Sequence, residues 1–234
     1  MAKYIDSYFS EIASVQSELI EGLEKLLPQL ENLTTEQKIQ VARSLDFMDE
    51  LKALGLNKAV DGLYKNFSKE IASTVNEAAG FGASISTANL QAIETMRLLE
   101  MDSLLKGYEQ YASDLKREMI RGLITGEPIK DLATRLTNDF GAEKVLSSTQ
   151  KRVVVNDAFA RLSNATTKEA FVDIPDQRFR YIGPEDDVTR PECQDVLSMA
   201  QNNAEGFTSD EIDDLPVDFA SRGGWGCRHD WAAV

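Results

Sequence analysis

The sequence predicts a mostly α protein: an elongated helical body with a small α+β module at its C-terminal end. Three observations carry that expectation. Apolar residues recur at helical spacing through the first 170 positions. Glycines, prolines and Thr-x-x-Gln/Glu pairs punctuate the helical runs. After Phe171 the pattern changes to short β-branched and aromatic runs set among turn residues. With 42% hydrophobic and 27% charged residues over 234 positions, the chain can bury a sizeable core as one large domain or two small ones.

In chain order, Ile5, Tyr8, Ile12, Val15, Leu19, Leu23, Leu26 and Leu30 fall three or four apart, on one face of a helix that Pro28 ends or kinks near Leu27. Thr34 and Gln37 form a capping box that opens a second helix with the stripe Val41, Leu45, Met48 and Leu51. Gly55 separates it from a third helix reaching about Ala79. The glycine-rich stretch 80–84 marks a hinge, and a long helix follows from about Thr87 to Thr125. Gly126-Glu127-Pro128 breaks it, and further helices are expected over roughly 128–139 and 142–166. Phe171-Val172-Asp173-Ile174 and Arg178-Phe179-Arg180-Tyr181-Ile182 have the composition of strands around a turn at Pro175-Asp176. Short helices near 189–200 and 208–214 follow, the second with Thr208 and Glu211 as a capping box. The chain thus divides into a helical segment 1–83, a long-helix and helix-turn-helix region 84–170, and the module 171–234.

The net charge is −14, and residues 171–234 hold fourteen acidic residues against five arginines and no lysine. Such a surface repels a phosphate backbone and favours solubility or a basic docking partner. No window approaches the ~20 consecutive apolar residues of a membrane span, so no membrane partner is expected. Met1 to Asp6 show no basic run before an apolar stretch, and no signal peptide is expected. Two cysteines cannot build a disulfide framework and point to thiols or metal ligands in a reducing compartment.

Familiar catalytic signatures are missing: no phosphate loop ending in Gly-Lys-Ser/Thr, no Gly-x-Ser-x-Gly, no His-Glu-x-x-His. Glu185, Asp186 and Asp187 could hold a cation, or cap the following helix. Cys193, Cys227 and His229 are the chain's only soft metal ligands. A structural zinc would need a fourth ligand, for which Asp187, Asp195 and Asp230 are the candidates. The alternatives are a cysteine packed beside the tail, a disulfide, or a catalytic thiol. Trp225 and Trp231 are expected to close the module as core, with Gly223, Gly224 and Gly226 allowing a tight turn past their rings.

The run Tyr181-Ile182-Gly183-Pro184-Glu185-Asp186-Asp187-Val188-Thr189-Arg190-Pro191-Glu192-Cys193, then Phe207-Thr208-Ser209-Asp210-Glu211-Ile212, then Arg222-Gly223-Gly224-Trp225-Gly226-Cys227-Arg228-His229-Asp230-Trp231, closely resembles the C-terminal signature of phage head morphogenesis proteins. These are the minor head proteins similar to the F protein of phage Mu. Upstream, 121–133 leading to Phe140-Gly141 is similar to the helix-turn-helix that precedes the signature. The resemblance spans roughly 115–234 and departs from the family in a longer, more polar stretch from Gln194 to Gly206. It singles out Asp187, Arg190, Gly223, Gly224, Trp225 and Trp231 as structural motif residues, and transfers no catalytic residue. It implies a non-enzymatic protein present in few copies inside the capsid near the portal vertex, and in the host cytoplasm during assembly. Its partners would be the portal protein and the scaffold or major capsid protein, with homo-oligomers also open. The N-terminal stripes would then serve as an attachment arm. Two other classes compete: a zinc-dependent hydrolase or nuclease built on Cys193, Cys227 and His229, and a helical adaptor unrelated to phage.

The charge generates a first test. The chain should bind double-stranded DNA weakly or not at all at physiological salt, measured by fluorescence anisotropy. Tight binding that weakens steeply with salt would reveal a basic face that the composition conceals.

Overall fold

The computed structural model describes residues 2–80, 87–141, 149–171, 174–224 and 226–234. They are predominantly helical, with two short antiparallel strands near the C-terminus. They cluster into two packed units, Met1–Tyr64 with Met101–Thr149, and Lys65–Glu100 with Gln150–Val234. The units interleave along the chain, because the helices Leu56–Gly80 and Thr87–Ile124 each contribute residues to both. Most of the expected hinge at 80–84, and the expected helix start at Ala142, lie outside the described residues.

The first unit is built from α1 (Ala2–Leu26), a 3-10 turn (Leu27–Leu30), α2 (Thr35–Ser44), α3 (Phe47–Ala53), the start of α4 (Leu56–Gly80), the later part of α5 (Thr87–Ile124) and α6 (Ile129–Phe140). Pro28 sits in the first turn of the 3-10 segment, where its missing N–H is harmless. The predicted capping box is present: Gln37 N donates to Thr34 Oγ1 at 3.3 Å, and Thr34 N donates to Gln37 Oε1 at 3.0 Å. The single second helix expected from the sequence is two helices. Asp46 Oδ1 accepts from both Met48 N and Asp49 N at 3.0 Å, starting α3 where the apolar stripe runs on unbroken. Lys116 on α5 donates to the carbonyls of Arg43 and Leu45 that the break leaves open.

The stripe of α1 is used within this unit. Ile5, Tyr8, Ile12, Val15, Leu19 and Leu23 are buried, and α1 packs on α3 and α6. The expectation of a free attachment arm is therefore corrected: these residues are core, and exposing them would cost about 1.5–3 kcal/mol per large side chain. α5 ends at Ile124, two residues before Gly126, whose φ of 73° is the left-handed conformation of a helix stop. Arg135 on α6 reaches back to Glu127 with a bidentate pair at 3.0 and 2.8 Å, fixing the turn between the two helices.

The second unit holds the remainder of α4 and α5, α7 (Thr149–Phe171) from Gln150 onward, β1 (Phe179–Ile182), α8 (Pro191–Asn202), α9 (Ser209–Asp213) and β2 (Asp230–Ala233). Phe67 and Phe159 meet edge to face at 4.5 Å, and Arg161 pairs with Glu100 through two 2.8 Å bonds. Of the strand expected at 171–174, neither described residue is in a strand. Phe171 is the last residue of α7 and is buried in the module core, Ile174 lies in a bend, and Val172 and Asp173 are outside the described residues. The partner of β1 is instead β2, antiparallel, with Tyr181 opposite Trp231 and Phe179 opposite Ala233. Phe179 and Tyr181 point inward, as the period of two requires, onto a core with Val196, Phe207, Ile212 and Phe219. Among the described residues, no helix is long and apolar enough to cross a membrane.

One buried group in the first unit is out of place energetically. Gln16 on α1 is fully buried, and neither its amide nitrogen nor its oxygen finds a hydrogen-bond partner among the described residues. Gln16→Met keeps the shape and removes the unsatisfied group, so it should stabilise the protein by about 1–2 kcal/mol. The check is a higher urea midpoint at unchanged slope. A lower midpoint would show that the amide holds a buried water.

Candidate functional site

Cys193, Cys227 and His229 converge, as their chemistry proposed. Cys193 stands in the first turn of α8, behind Pro191, which pre-sets the helical φ. Cys227 and His229 belong to the returning tail just before β2. The two sulfurs are 3.8 Å apart, and Cys227 Sγ is 3.5 Å from His229 Nδ1. Cys193 and His229 are only 1% and 2% exposed, and Cys227 is half-buried. Both cysteines are free thiols.

The histidine is oriented from behind. Its Nε2 lies 2.8 Å from the Pro184 carbonyl, which can only accept, so Nε2 carries the proton and Nδ1 turns its lone pair toward Cys227. Its ring stacks on Tyr181 at 5.2 Å, and a Cβ at Gly183 would strike it. Gly223 is required by the same crowding, since a Cβ there would land on Cys193 Sγ and press on Cys227 Sγ. Tyr181 Oη caps the cluster, 3.4 Å from Cys193 Sγ and 3.5 Å from Cys227 Sγ.

This environment splits the two thiols. Burial pushes Cys193 up. Burial acts the same way on Cys227, but hydrogen bonds from the Tyr181 hydroxyl and from the backbone at His229 and Gly223 outweigh it and bring that thiol down to about 7. Burial, and then the hydrogen bonds to the two thiols, hold the Tyr181 phenol well above its ordinary range.

A second constellation holds the tail in place. Arg222 is 5% exposed and adopts a φ of 58°, and its guanidinium reaches three acceptors. Asp157 Oδ1 is 3.5 Å from Nη2, while Nη1 donates to His229 O at 2.9 Å and to Asp230 Oδ1 at 3.2 Å. Asp157, on α7, is 3% exposed and also accepts from Gly226 N at 2.8 Å. On the surface, Arg228 makes a bidentate pair with Asp186 at 2.8 and 2.6 Å. Chiefly through those bonds, and with help from Thr189 and the Val188 amide, the Asp186 carboxyl is held well below the usual range. Asp186 therefore closes its own turn and pairs with Arg228; it does not cap α8, whose N-cap Arg190 has no side-chain cap hydrogen bond.

The other singled-out residues sort as follows. Arg190 donates to the Gly223 carbonyl, and Gly224 takes the φ of 83° that the turn needs. Trp231 is buried, and its Nε1 donates to Asp218 O at 3.2 Å. Asp187 is exposed, and Trp225 lies outside the described residues. The expectation that Asp187, Asp195 or Asp230 completes the metal set is corrected: among the described residues the cluster contains no carboxylate, and Asp230 is turned to Arg222. Sequence reasoning missed Tyr181, Asp157 and Arg222 as parts of the site. The available signal for Asp157 was a carboxylate embedded among Val153, Val155, Ala158 and Phe159 on a helix. No protein-family model, no curated protein and no solved structure matches this chain.

The buried ion pair sets a clear expectation. Asp157→Ala leaves a buried guanidinium short of its partner and should destabilise by about 3–5 kcal/mol. Asp157→Leu combined with Arg222→Met should recover most of that loss. Both tryptophans of the chain lie in the module, so their fluorescence during denaturation reads this unit directly. A loss below about 1 kcal/mol for Asp157→Ala would show that Asp230 and the His229 carbonyl suffice to satisfy Arg222.

Proposed function

We propose that this chain is a phage minor head protein: a non-enzymatic component that associates with the portal vertex, sits in few copies inside the capsid, and assists procapsid assembly, DNA packaging or ejection. The observation that carries this reading is spatial. The three stretches that resemble the head morphogenesis signature, 181–193, 207–212 and 222–231, are far apart in sequence yet pack as one module. Tyr181 faces Trp231 across the strands, Phe179 bridges to Phe207, Arg190 meets Gly223, and Asp186 meets Arg228. A signature whose members support one another physically marks a folding unit, which is what a module shared across a family of structural proteins requires.

The non-enzymatic side of the reading has its own support. The only histidine is held at Nε2 by Pro184 and faces Cys227 through Nδ1, so a zinc-dependent hydrolase using the Cys193–Cys227–His229 set would have no second imidazole as its base. The acidic module also suits a basic protein surface better than packaged DNA.

Co-expression with the portal protein of the same genome tests the proposal. The tagged chain should capture the portal, and purified heads should contain it in a small fixed ratio to the portal by quantitative mass spectrometry. A chain that neither binds the portal nor appears in heads would overturn the reading and favour a helical adaptor of other partners.

A further inference from the structure

The geometry points to a zinc-binding centre formed by Cys193 Sγ, Cys227 Sγ and His229 Nδ1, with the hydroxyl of Tyr181 at the fourth corner. Tetrahedral zinc with Zn–S of about 2.3 Å and Zn–N of about 2.0–2.1 Å implies S···S edges of about 3.8 Å and S···N edges of about 3.5 Å. The cluster already has a 3.8 Å S···S edge and a 3.5 Å S···N edge. The remaining S···N edge lies within 4.8 Å, a distance that a small side-chain rotation closes.

Tyr181 Oη stands 3.4 and 3.5 Å from the two sulfurs. Those lengths match the S···O edge of about 3.5 Å expected for an oxygen ligand at about 2.0–2.2 Å from zinc. The support around the ligands is also that of a metal site. His229 is fixed in the tautomer that frees Nδ1 by a backbone carbonyl, the usual device for a ligating imidazole. Gly223 leaves the space between the sulfurs clear. Two thiolates and an imidazole in a small buried site select zinc over hard cations.

Binding converts both thiols to thiolates and releases their two protons to solvent, while the imidazole enters neutral and no electron moves. The centre ties the first turn of α8 to the tail ahead of β2. It thereby adds a crosslink to a module of few secondary-structure elements, a structural role that is independent of which partner the protein serves.

The test uses the full-length wild-type chain. Purified without chelator from zinc-supplemented cells, it should carry about one zinc per chain by elemental mass spectrometry, as one closed site requires. The metal-free, reduced protein titrated with Co²⁺ should develop thiolate-to-cobalt charge-transfer absorption and the visible bands of tetrahedral cobalt, both erased by Zn²⁺. Its two thiols should react rapidly with Ellman's reagent when metal-free and slowly when zinc is bound. Cys227→Ser and His229→Asn should lose the tetrahedral cobalt spectrum, and Tyr181→Phe should keep the charge-transfer band but bind about 10–100-fold more weakly.

If the ligand variants fail to fold, the cobalt and thiol measurements on wild-type protein still decide. A folded wild-type chain that stays colourless with Co²⁺, with thiols equally reactive with and without zinc, would overturn the centre. So would a chain isolated with Cys193 and Cys227 joined as a disulfide that re-forms after reduction in the presence of zinc. Unchanged affinity in Tyr181→Phe would remove the phenol from the fourth corner.

Discussion

The guanidinium of Arg222, buried against Asp157, is the interaction on which the C-terminal unit turns. Moving an arginine and an aspartate out of water costs several kcal/mol for each ion, so the pair is weak evidence for stability and better understood as a constraint on conformation. Arg222 adopts a left-handed φ as the second residue of the antiparallel bridge with Asp218, where the chain reverses. From there the guanidinium reaches α7 on one side and the tail backbone at His229 on the other. One residue thus sets the path of the last twelve. If it were displaced, Cys227 and His229 would have no reason to arrive beside Cys193, and Trp231 none to arrive opposite Tyr181. The Nε–H of Arg222 has no acceptor among the described residues, so even this well-coordinated cation carries a residual desolvation penalty.

The aromatic residues convert that path into a packed module. Trp231 lies 4.8 Å from Tyr181 and 5.9 Å from Phe219, and Tyr181 in turn stacks on His229. Two four-residue strands are too short to be stable by their ladder alone. What fixes their register is the Tyr181–Trp231 pair, because a slip of one residue would send Trp231 to solvent and Asp230 into the core. The same slip would move Tyr181 away from the thiols. Packing and site chemistry are therefore specified together, through one tyrosine.

What could be read from the sequence was the chemistry that acts over a few residues. The α1 stripe, the capping boxes at Thr34 and Thr208, the stop at Gly126 and the inward alternation of Phe179 and Tyr181 are all local, and the structure contains each of them. The break before α3 was equally local but hidden, because Leu45, Met48 and Leu51 keep helical spacing across it while Asp46 caps a new helix. Phe171 was misjudged for a different reason. Its β-branched and aromatic neighbourhood favours strand, but the module core supplies more burial to a helix that ends there. The partner of β1 lies some fifty residues away, and the Asp157–Arg222 pair is separated further still, so no periodicity could announce either. At the candidate site the soft ligands were legible by type, since the chain has only three. The oxygen beside them was not, because it comes from a tyrosine whose first duty is to the core. The carboxylate expected in its place, Asp230, alternates outward on β2 and pairs with Arg222.

The interleaving of the two units determines how the chain can be dissected. Residues up to Tyr64 belong to one unit, while Lys65–Glu100 belong to the other, although α4 runs through both stretches without a break. A truncation near residue 80 would take α1, α2 and α3 from the first unit and the Phe67 edge-to-face contact with Phe159 from the second. The loss of any activity in such a fragment would report on damaged cores, not on a missing docking arm. Cooperative units of this kind respond cleanly only to changes confined to one of them. The residues suited to that purpose are those whose partners all lie in one unit. For the second unit these include Asp157, Arg222 and the Cys193–Cys227–His229 cluster, which are also the residues that link its helices to its tail.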